Sequence, residues 1–324
     1  MTVSDTKTCL DPHSCELLLQ IAAAAAAVAP QDLTPARRRA LSRDANTCLM
    51  PDGGPLPAMR RELSIPLPGR TLAARLYQGA PGWPRTGASD VLLVFFHGGG
   101  WVVGDLETHD NACAHLCREL GCAVLNIAYR KAPEHSFPAP CDDAADAYAW
   151  AAEQLGNFGC TRLAVAGDSA GGHLAAHAMA VHPELDTAAA LLFYPVAGMD
   201  FTNTSYTERA SGPGLTGPSM VWYWEQFLGS ASPSHDPRAV LLHQQWRRIP
   251  PPTVVSLAWH DPLHDEGVAY AALLRGAGAQ VQLLVAPDMA HGFLRQCRIN
   301  AAAGGHVAQA TQALLACLAG PASQ

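Results

Sequence analysis

No two of the ten cysteines stand in a C-x-x-C spacing. A chain of 324 residues buries enough surface to hold a core without cross-links, so these residues read as free thiols of a reducing compartment, not as a disulfide framework or a metal cluster. Cys113 and Cys117, four apart, suit two core positions of one helix. Charge is scarce too: Asp, Glu, Lys and Arg make up 15% of the chain, with a net charge of -7. No basic tract exists beyond Arg37-Arg38-Arg39, which reads as the solvated face of a helix, so no nucleic-acid partner is expected. The zinc motif H-E-x-x-H is missing. His173 and His177, like His260 and His264, are four apart but have no carboxylate in the spacing that zinc enzymes use, so neither metal nor cofactor is expected. "GPGLTG" (212–217) has the spacing of a dinucleotide-binding loop, yet it follows no strand and reads as a flexible connecting loop and candidate hinge. No internal repeat is visible.

The one long apolar run, "LLLQIAAAAAAVAP" (17–30), is short for a membrane span and is broken by Gln20. Asp5, Asp11 and Glu16 precede it against a single Lys7, which is the wrong charge for a secretory leader. It reads as an alanine-rich helix packed on the body, so membrane insertion is not expected and the cytoplasm is the expected location.

What is present is alternation. Residues 1 to about 50 read as helices, with Thr34 as an N-cap before Pro35. "RELSIPL" and "LAARLYQ" flank a "PGR" turn as a hairpin, and residues 80–90 form a surface turn. From residue 91, apolar runs at 91–96, 122–128, 162–167, 188–194, 253–258 and 281–286 alternate with helical patterns. Continuous apolar strands are those of a parallel sheet covered on both faces. The stretch 197–250 interrupts the alternation with Gly, Pro, Ser and Trp and an aromatic helix, "SMVWYWEQFL". An insertion there falls at the carboxyl edge of the sheet, where ligands bind in such folds. The expected division is N-terminal cap helices at 1–55, a core at 56–196 and 251–324, and a cap insertion at 197–250.

"AVAGDSAGGHL" (164–174) places G-x-S-x-G between a strand and a helix. Such a turn is so sharp that the residues two before and two after Ser169 must be small, and it projects the hydroxyl alone at a helix N-terminus. A serine needs a base, and this elbow takes an acid and then a histidine in chain order. Asp261 follows one late strand and His291 the next. Asp265 and Asp288 compete with Asp261, the former reading as a cap or supporting group at a helix start, the latter lying just before His291 on the same loop. "VFFHGGGW" (94–101) ends a strand in three glycines, whose amides can turn toward an oxyanion: Gly99 and Gly100 as donors, with Ala170 as a third. Trp101 and Trp222 are substrate-pocket candidates; of the trio Trp222, Tyr223 and Trp224 only part can line a pocket, because 222 and 224 cannot share one helix face, and alternate members can equally be cap core. Asp168 reads as a structural hydrogen-bond acceptor.

Together, "HGGGWVVGDLETHD", "YRKAPEHSFPAP", "GDSAGGHLA", "FYPV", "DPLHDEG" and "HGF" resemble the bacterial hormone-sensitive-lipase-like esterases of the α/β-hydrolase superfamily. The resemblance runs from about residue 60 to the end and more loosely over the first helices. It implies an α/β-hydrolase fold, a mostly parallel central sheet with helices on both faces plus a helical cap. It implies a serine carboxylesterase acting on short-chain acyl esters through an acyl-enzyme, with triad Ser169, Asp261 and His291 and oxyanion hole Gly99, Gly100 and Ala170. His97 would orient the glycine loop. The expected partner is a small-molecule ester, and the family allows a homodimer. The same machinery could serve an arylformamide, a lactone or another activated acyl bond, and a non-catalytic small-ligand receptor is the remaining reading. The cap composition, "VWYWEQF" above all, leaves the natural substrate, acyl length and stereopreference open.

Overall fold

The computed structural model describes residues 9–52, 54–79, 87–231 and 235–320. The chain opens with two helices, α1 (Pro12–Ala26) and α2 (Pro35–Cys48), and then forms the antiparallel hairpin β1 (Met59–Leu67) and β2 (Arg70–Gln78). Strand β3 (Val91–Phe96), helix α3 (Asp110–Leu120), β4 (Ala123–Ala128), α4 (Ala139–Glu153), β5 (Arg162–Asp168), α5 (Ala170–Val181) and β6 (Thr187–Phe193) follow. Then come α6 (Thr204–Glu208) and α7 (Gly217–Leu228), β7 (Thr253–His260), α8 (His264–Gly276), β8 (Val281–Ala290) and α9 (Ala301–Ala319).

The eight strands form one sheet in the order β1-β2-β4-β3-β5-β6-β7-β8. β2 pairs antiparallel with β4, and every pairing from β4 through β8 is parallel. The apolar strand runs follow from burial on both faces. In β3 all six residues are buried: Leu92, Val94 and Phe96 join the core under α4, α5 and α8, while Val91, Leu93 and Phe95 join the core under α3 and α9. The strand order reverses at β3, which lies between β4 and β5. Phe96 therefore pairs with Gly167, so the loops leaving β3 and β5 emerge side by side. That reversal is where open α/β sheets form their ligand crevice.

Differences from expectation are local. β8 continues to Ala290, past Pro287, beyond the expected end at 286. β8 is an edge strand, where a proline displaces no ladder partner. Residues 80–86 of the expected surface turn lie outside the described residues, as do residues 1–8.

The Thr34 hydroxyl accepts the Arg37 amide at 3.2 Å and Pro35 occupies the first turn of α2, as the sequence requires. The arginine run on this helix is not simply a solvated face. Arg39 crosses to the body, donating to the Val102 carbonyl (2.8 Å), the Ala132 carbonyl (2.8 Å) and both oxygens of Glu134. Arg38 lies over the Trp222 ring at 4.2 Å. Arg37 alone of the three is exposed. No helix among the described residues is long and apolar enough to cross a membrane.

Candidate active site

Three strand ends supply the polar residues. Ser169 follows β5, Asp261 follows β7 and His291 follows β8. His291 Nε2 lies 2.9 Å from Ser169 Oγ, and His291 Nδ1 lies 2.7 Å from Asp261 Oδ2. The remaining oxygen of Asp261 accepts the Leu263 amide at 2.9 Å. With Asp261 1% exposed, this carboxylate is spent on one backbone amide and one imidazole, and the Nδ1 contact directs the other imidazole nitrogen at the serine. The competing acids are used elsewhere. Asp265 accepts the Ser205 amide at 2.9 Å, and Asp288, in β8, bonds His306 at 2.6 Å.

The turn that presents Ser169 is strained. Its φ is 56° and ψ −122°, a backbone region costing a non-glycine residue about 1–3 kcal/mol. The small residues around it are steric necessities. A Cβ on Gly167 would meet the Gly171 carbonyl oxygen at 2.2 Å, and one on Gly171 would meet the Phe96 carbonyl oxygen at 1.9 Å. The Ser169 amide donates to the Phe193 carbonyl at 2.9 Å, tying the turn to the neighbouring strand.

The glycine loop faces this serine across the crevice. Gly99 has φ 121°, and a Cβ there would meet the Val103 carbonyl oxygen at 2.3 Å. The amides of Gly99 and Gly100 donate to no acceptor among the described residues. Ala170 opens α5, so its amide belongs to the first turn, which no intrahelical acceptor serves.

Beneath the loop lies a buried polar layer. The Gly98 amide donates to Asp168 at 2.7 Å, and the His109 ring nitrogen Nε2 stands 3.3 Å from the same carboxylate. Burial opposes the charge on Asp168, but His109 and the Gly98 amide outweigh it and hold the carboxyl below its ordinary pKa. His97 stacks on Tyr129 with ring centroids 4.4 Å apart, and its Nδ1 lies 2.9 Å from the Gly98 carbonyl. Burial pushes the His97 imidazole down to about 3, so it stays neutral. The Tyr129 hydroxyl donates to the His97 carbonyl at 2.8 Å. Asp168 and His97 thus bear on the backbone of the glycine loop.

A cavity of about 550 Å³ opens over Ser169 and His291. Gly98, Gly99 and Gly100 form part of its floor, α1 contributes Leu18 and Ile21, α2 contributes Leu41 and Ala45, and α7 contributes Met220 and Tyr223. Gly214 and Leu215 of the "GPGLTG" stretch also line it.

The two tryptophans singled out in the sequence do not line this cavity. Trp101 has φ 58°, which turns its side chain away from the crevice and into the core, where it is 0% exposed. There it stacks on Phe227, and its Nε1 donates to His173 Nδ1 at 3.2 Å. Trp222 faces Arg38 on the outer side of α7, while Trp224 is buried on the inner side. Tyr223 is the member of the trio that reaches the cavity.

His173 is committed twice, accepting from Trp101 and donating from Nε2 to the Ala239 carbonyl at 3.1 Å. His264 bonds Asp265 at 2.9 Å. Tyr223 was among the pocket candidates, whereas Tyr194, His109 and Arg295 carried no recognisable signal of their own in the sequence. Tyr194 stands with its ring centroid 4.6 Å from that of His291, and its hydroxyl accepts the Leu294 amide at 3.2 Å. His109, Tyr223 and Arg295 all line the cavity. A short "FYPV" or "HGFLRQ" gives no indication of which side chain turns inward.

Residues 93–295 match the family model described as the α/β-hydrolase fold. The chain is 38% identical over 233 residues to ethyl acetate hydrolase of Pseudomonas putida, covering 70% of this chain and 73% of that one. It is 38% identical over 271 residues to carboxylic ester hydrolase LipN of Mycobacterium tuberculosis, covering 79% and 69%. Among solved structures, an α/β hydrolase from the metagenome of Lake Arreo aligns with TM-score 0.85 and 31% identity over 95% of this chain and 98% of that chain. The esterase of Pyrobaculum calidifontis aligns with TM-score 0.82 and 30% identity over 95% and 98%. A sheet that reverses at β3, a strained serine turn after β5 and relatives at this identity lead to one family: the chain belongs to the α/β hydrolases, in their hormone-sensitive-lipase-like branch.

Proposed function

We propose that this protein is a serine carboxylesterase that hydrolyses short-chain acyl esters. The observation that carries the reading is the unbroken chain Ser169–His291–Asp261, at 2.9 and 2.7 Å, under a cavity of about 550 Å³. Ser169 attacks the ester carbonyl while His291 Nε2 takes its proton. Asp261 holds the imidazole tautomer and stabilises the imidazolium. The tetrahedral oxyanion receives the amides of Gly99, Gly100 and Ala170. His291 then protonates the departing alkoxide, and water, activated by the same imidazole, releases the acid and restores the serine.

Residues 1–55 and 197–250 are read as the cap over a hydrolase core, on the support that α1, α2 and α7 all line the cavity. The cytoplasm is proposed as the location, supported by ten cysteines that are all free. A homodimer is proposed as the assembly, to be read by light scattering.

The test is hydrolysis of p-nitrophenyl acetate, butyrate, octanoate and palmitate by the wild type and by Ser169→Ala. The expected result is activity that is highest on the two shorter esters and is nearly abolished in the variant. An inactive wild type, or a variant as active as the wild type, would overturn the assignment.

A further inference from the structure

Arg295 lies four residues beyond His291, in the 3₁₀ turn Phe293–Gln296, and its side chain lines the cavity that holds Ser169 and His291. Its hydrogen bonds go only to neutral oxygens: Nε to the Thr108 carbonyl at 3.2 Å and Nη2 to Asn46 Oδ1 at a long 3.4 Å. Nη1 has no acceptor, and no carboxylate lies within ion-pairing distance of this guanidinium, among the described residues. Arg298 likewise meets only neutral oxygens, those of Gly54 and Asn111, but it does not line the cavity, and other arginines are paired. Arg39, Arg60, Arg75, Arg162 and Arg238 each meet an acidic side chain. Asp168, which lines the same cavity, is already engaged by His109 and the Gly98 amide.

A guanidinium drawn out of water without a counter-ion is costly, and such groups are usually paired. Here the guanidinium lines the reaction cavity with no contact ion pair among the described residues, and Asp168 and Asp105 act on it only from longer range. Beside it, Gln296 is 2% exposed and lines the same cavity, and its carboxamide oxygen has no hydrogen-bond partner among the described residues. Arg37 and Arg38 add positive charge at the cavity wall, against Asp44 and Asp168 in the same lining, in a chain whose net charge is -7. An anion that enters finds a planar fork of donors able to take two carboxylate oxygens at once.

We propose that the preferred substrates are esters bearing a carboxylate, and that Arg295 is the residue that selects them. The inference rests on the esterase reading and narrows it to a substrate class. The carboxylate has two possible carriers, the acyl side, as in a dicarboxylic half-ester, and the alcohol side; Arg295 would meet it by the same ion pair.

Two matched pairs of esters separate these sources. Mono-p-nitrophenyl glutarate against p-nitrophenyl valerate tests the acyl side at constant leaving group. 4-Acetoxybenzoate against 4-acetoxybenzamide tests the alcohol side. The wild type is expected to favour the anionic member of one pair by about tenfold in kcat/KM, mainly through KM, as one charge-assisted contact should give. Arg295→Gln should abolish that ratio and Arg295→Lys should restore part of it. A wild type that prefers the neutral member of both pairs overturns the proposal. So does a ratio unmoved by Arg295→Gln, which would leave Arg295 as a strap between Asn46 and Thr108. Should Arg295→Gln fail to fold, competitive inhibition of the wild type by free glutarate decides: inhibition supports the proposal, and none at 50-fold the ester KM overturns it. A wild type that hydrolyses no ester removes the esterase reading instead. Calorimetry of glutarate with Ser169→Ala then tests the carboxylate site alone, binding supporting it and its absence overturning it.

Discussion

The indole of Trp101 and the ring of Phe227 stack with centroids 4.1 Å apart and planes 15° from parallel. Trp101 ends the glycine loop and Phe227 lies on α7, so this contact joins the floor of the cavity to its cover. Phe227→Ala should cost about 3–5 kcal/mol, as loss of a buried aromatic does, and should raise KM for short esters as α7 loosens. Urea titration and initial rates on the same preparation read both effects. A variant with lowered stability but unchanged KM would separate the stack from substrate binding.

Tyr223 crowds Gly100 so closely that an added Cβ would meet the ring at 2.3 Å, whereas at Gly99 the obstacle is the backbone of Val103. A ring can be removed and a backbone cannot. Gly100→Ala and Gly99→Ala should each lower kcat by about 10²–10³-fold if the amides they carry serve the oxyanion. Adding Tyr223→Ala should recover part of the first loss and none of the second. Equal recovery in both double variants would show that Tyr223 acts on something other than the loop.

Asp261→Asn keeps the shape of the side chain but offers an N–H where His291 Nδ1 donates. The expected drop in kcat is about 10⁴-fold, as for the wrong imidazole tautomer in triads of this kind. Asp265→Asn, whose carboxylate faces Ser205, should keep most activity. Reversal of the two effects would reassign the acid.

Stability should peak near neutral pH and fall on both sides. Burial pushes His97 and His173 down to about 3 and His177 to about 4, so below about pH 6.5 the unfolded chain binds protons that the folded one refuses. Folding is therefore weakened progressively as pH falls from there toward 4. Glu266 acts in the opposite sense. Burial pushes it up to about 8, so between about pH 4.5 and 8 the folded state holds a proton that the unfolded state has lost. That stabilisation is complete below the unfolded pKa and is lost as pH rises through 8. Glu266→Gln should raise Tm at pH 8 more than at pH 5. A Tm difference that does not change with pH would contradict the assignment.

The sheet and the polar residues of the site were legible in the sequence for the same reason. Each is dictated by a constraint acting over a few adjacent residues. Strands buried on two faces must be apolar throughout, as in Val91–Phe96, and a turn that brings residue 167 against residue 171 admits only glycine. The cover of the cavity follows no such rule. Arg39 reaches Glu134, 95 positions away, and nothing local to either residue marks the pairing. Trp101 shows the limit from the other side. It adjoins the glycine loop in the chain, but its positive φ sends the side chain into the core, and only the backbone angle decides that. The extension of β8 through Pro287 to Ala290 was hidden by a residue that normally stops a strand, because its place at the sheet edge depends on all the other strands.

The first helix is secured by the last part of the chain. The Asp11 amide donates to the Asp288 carbonyl at 2.8 Å, and Asn300 Nδ2 donates to the Asp11 carboxylate at 2.6 Å, 289 positions away. On a ribosome the strands around Ser169 can pair while α1 has only α2 beside it. The bonds from Asp288 and Asn300 that tie the start of α1 can form only after those residues are made, so the cavity wall that α1 supplies is fixed later than the strands around Ser169.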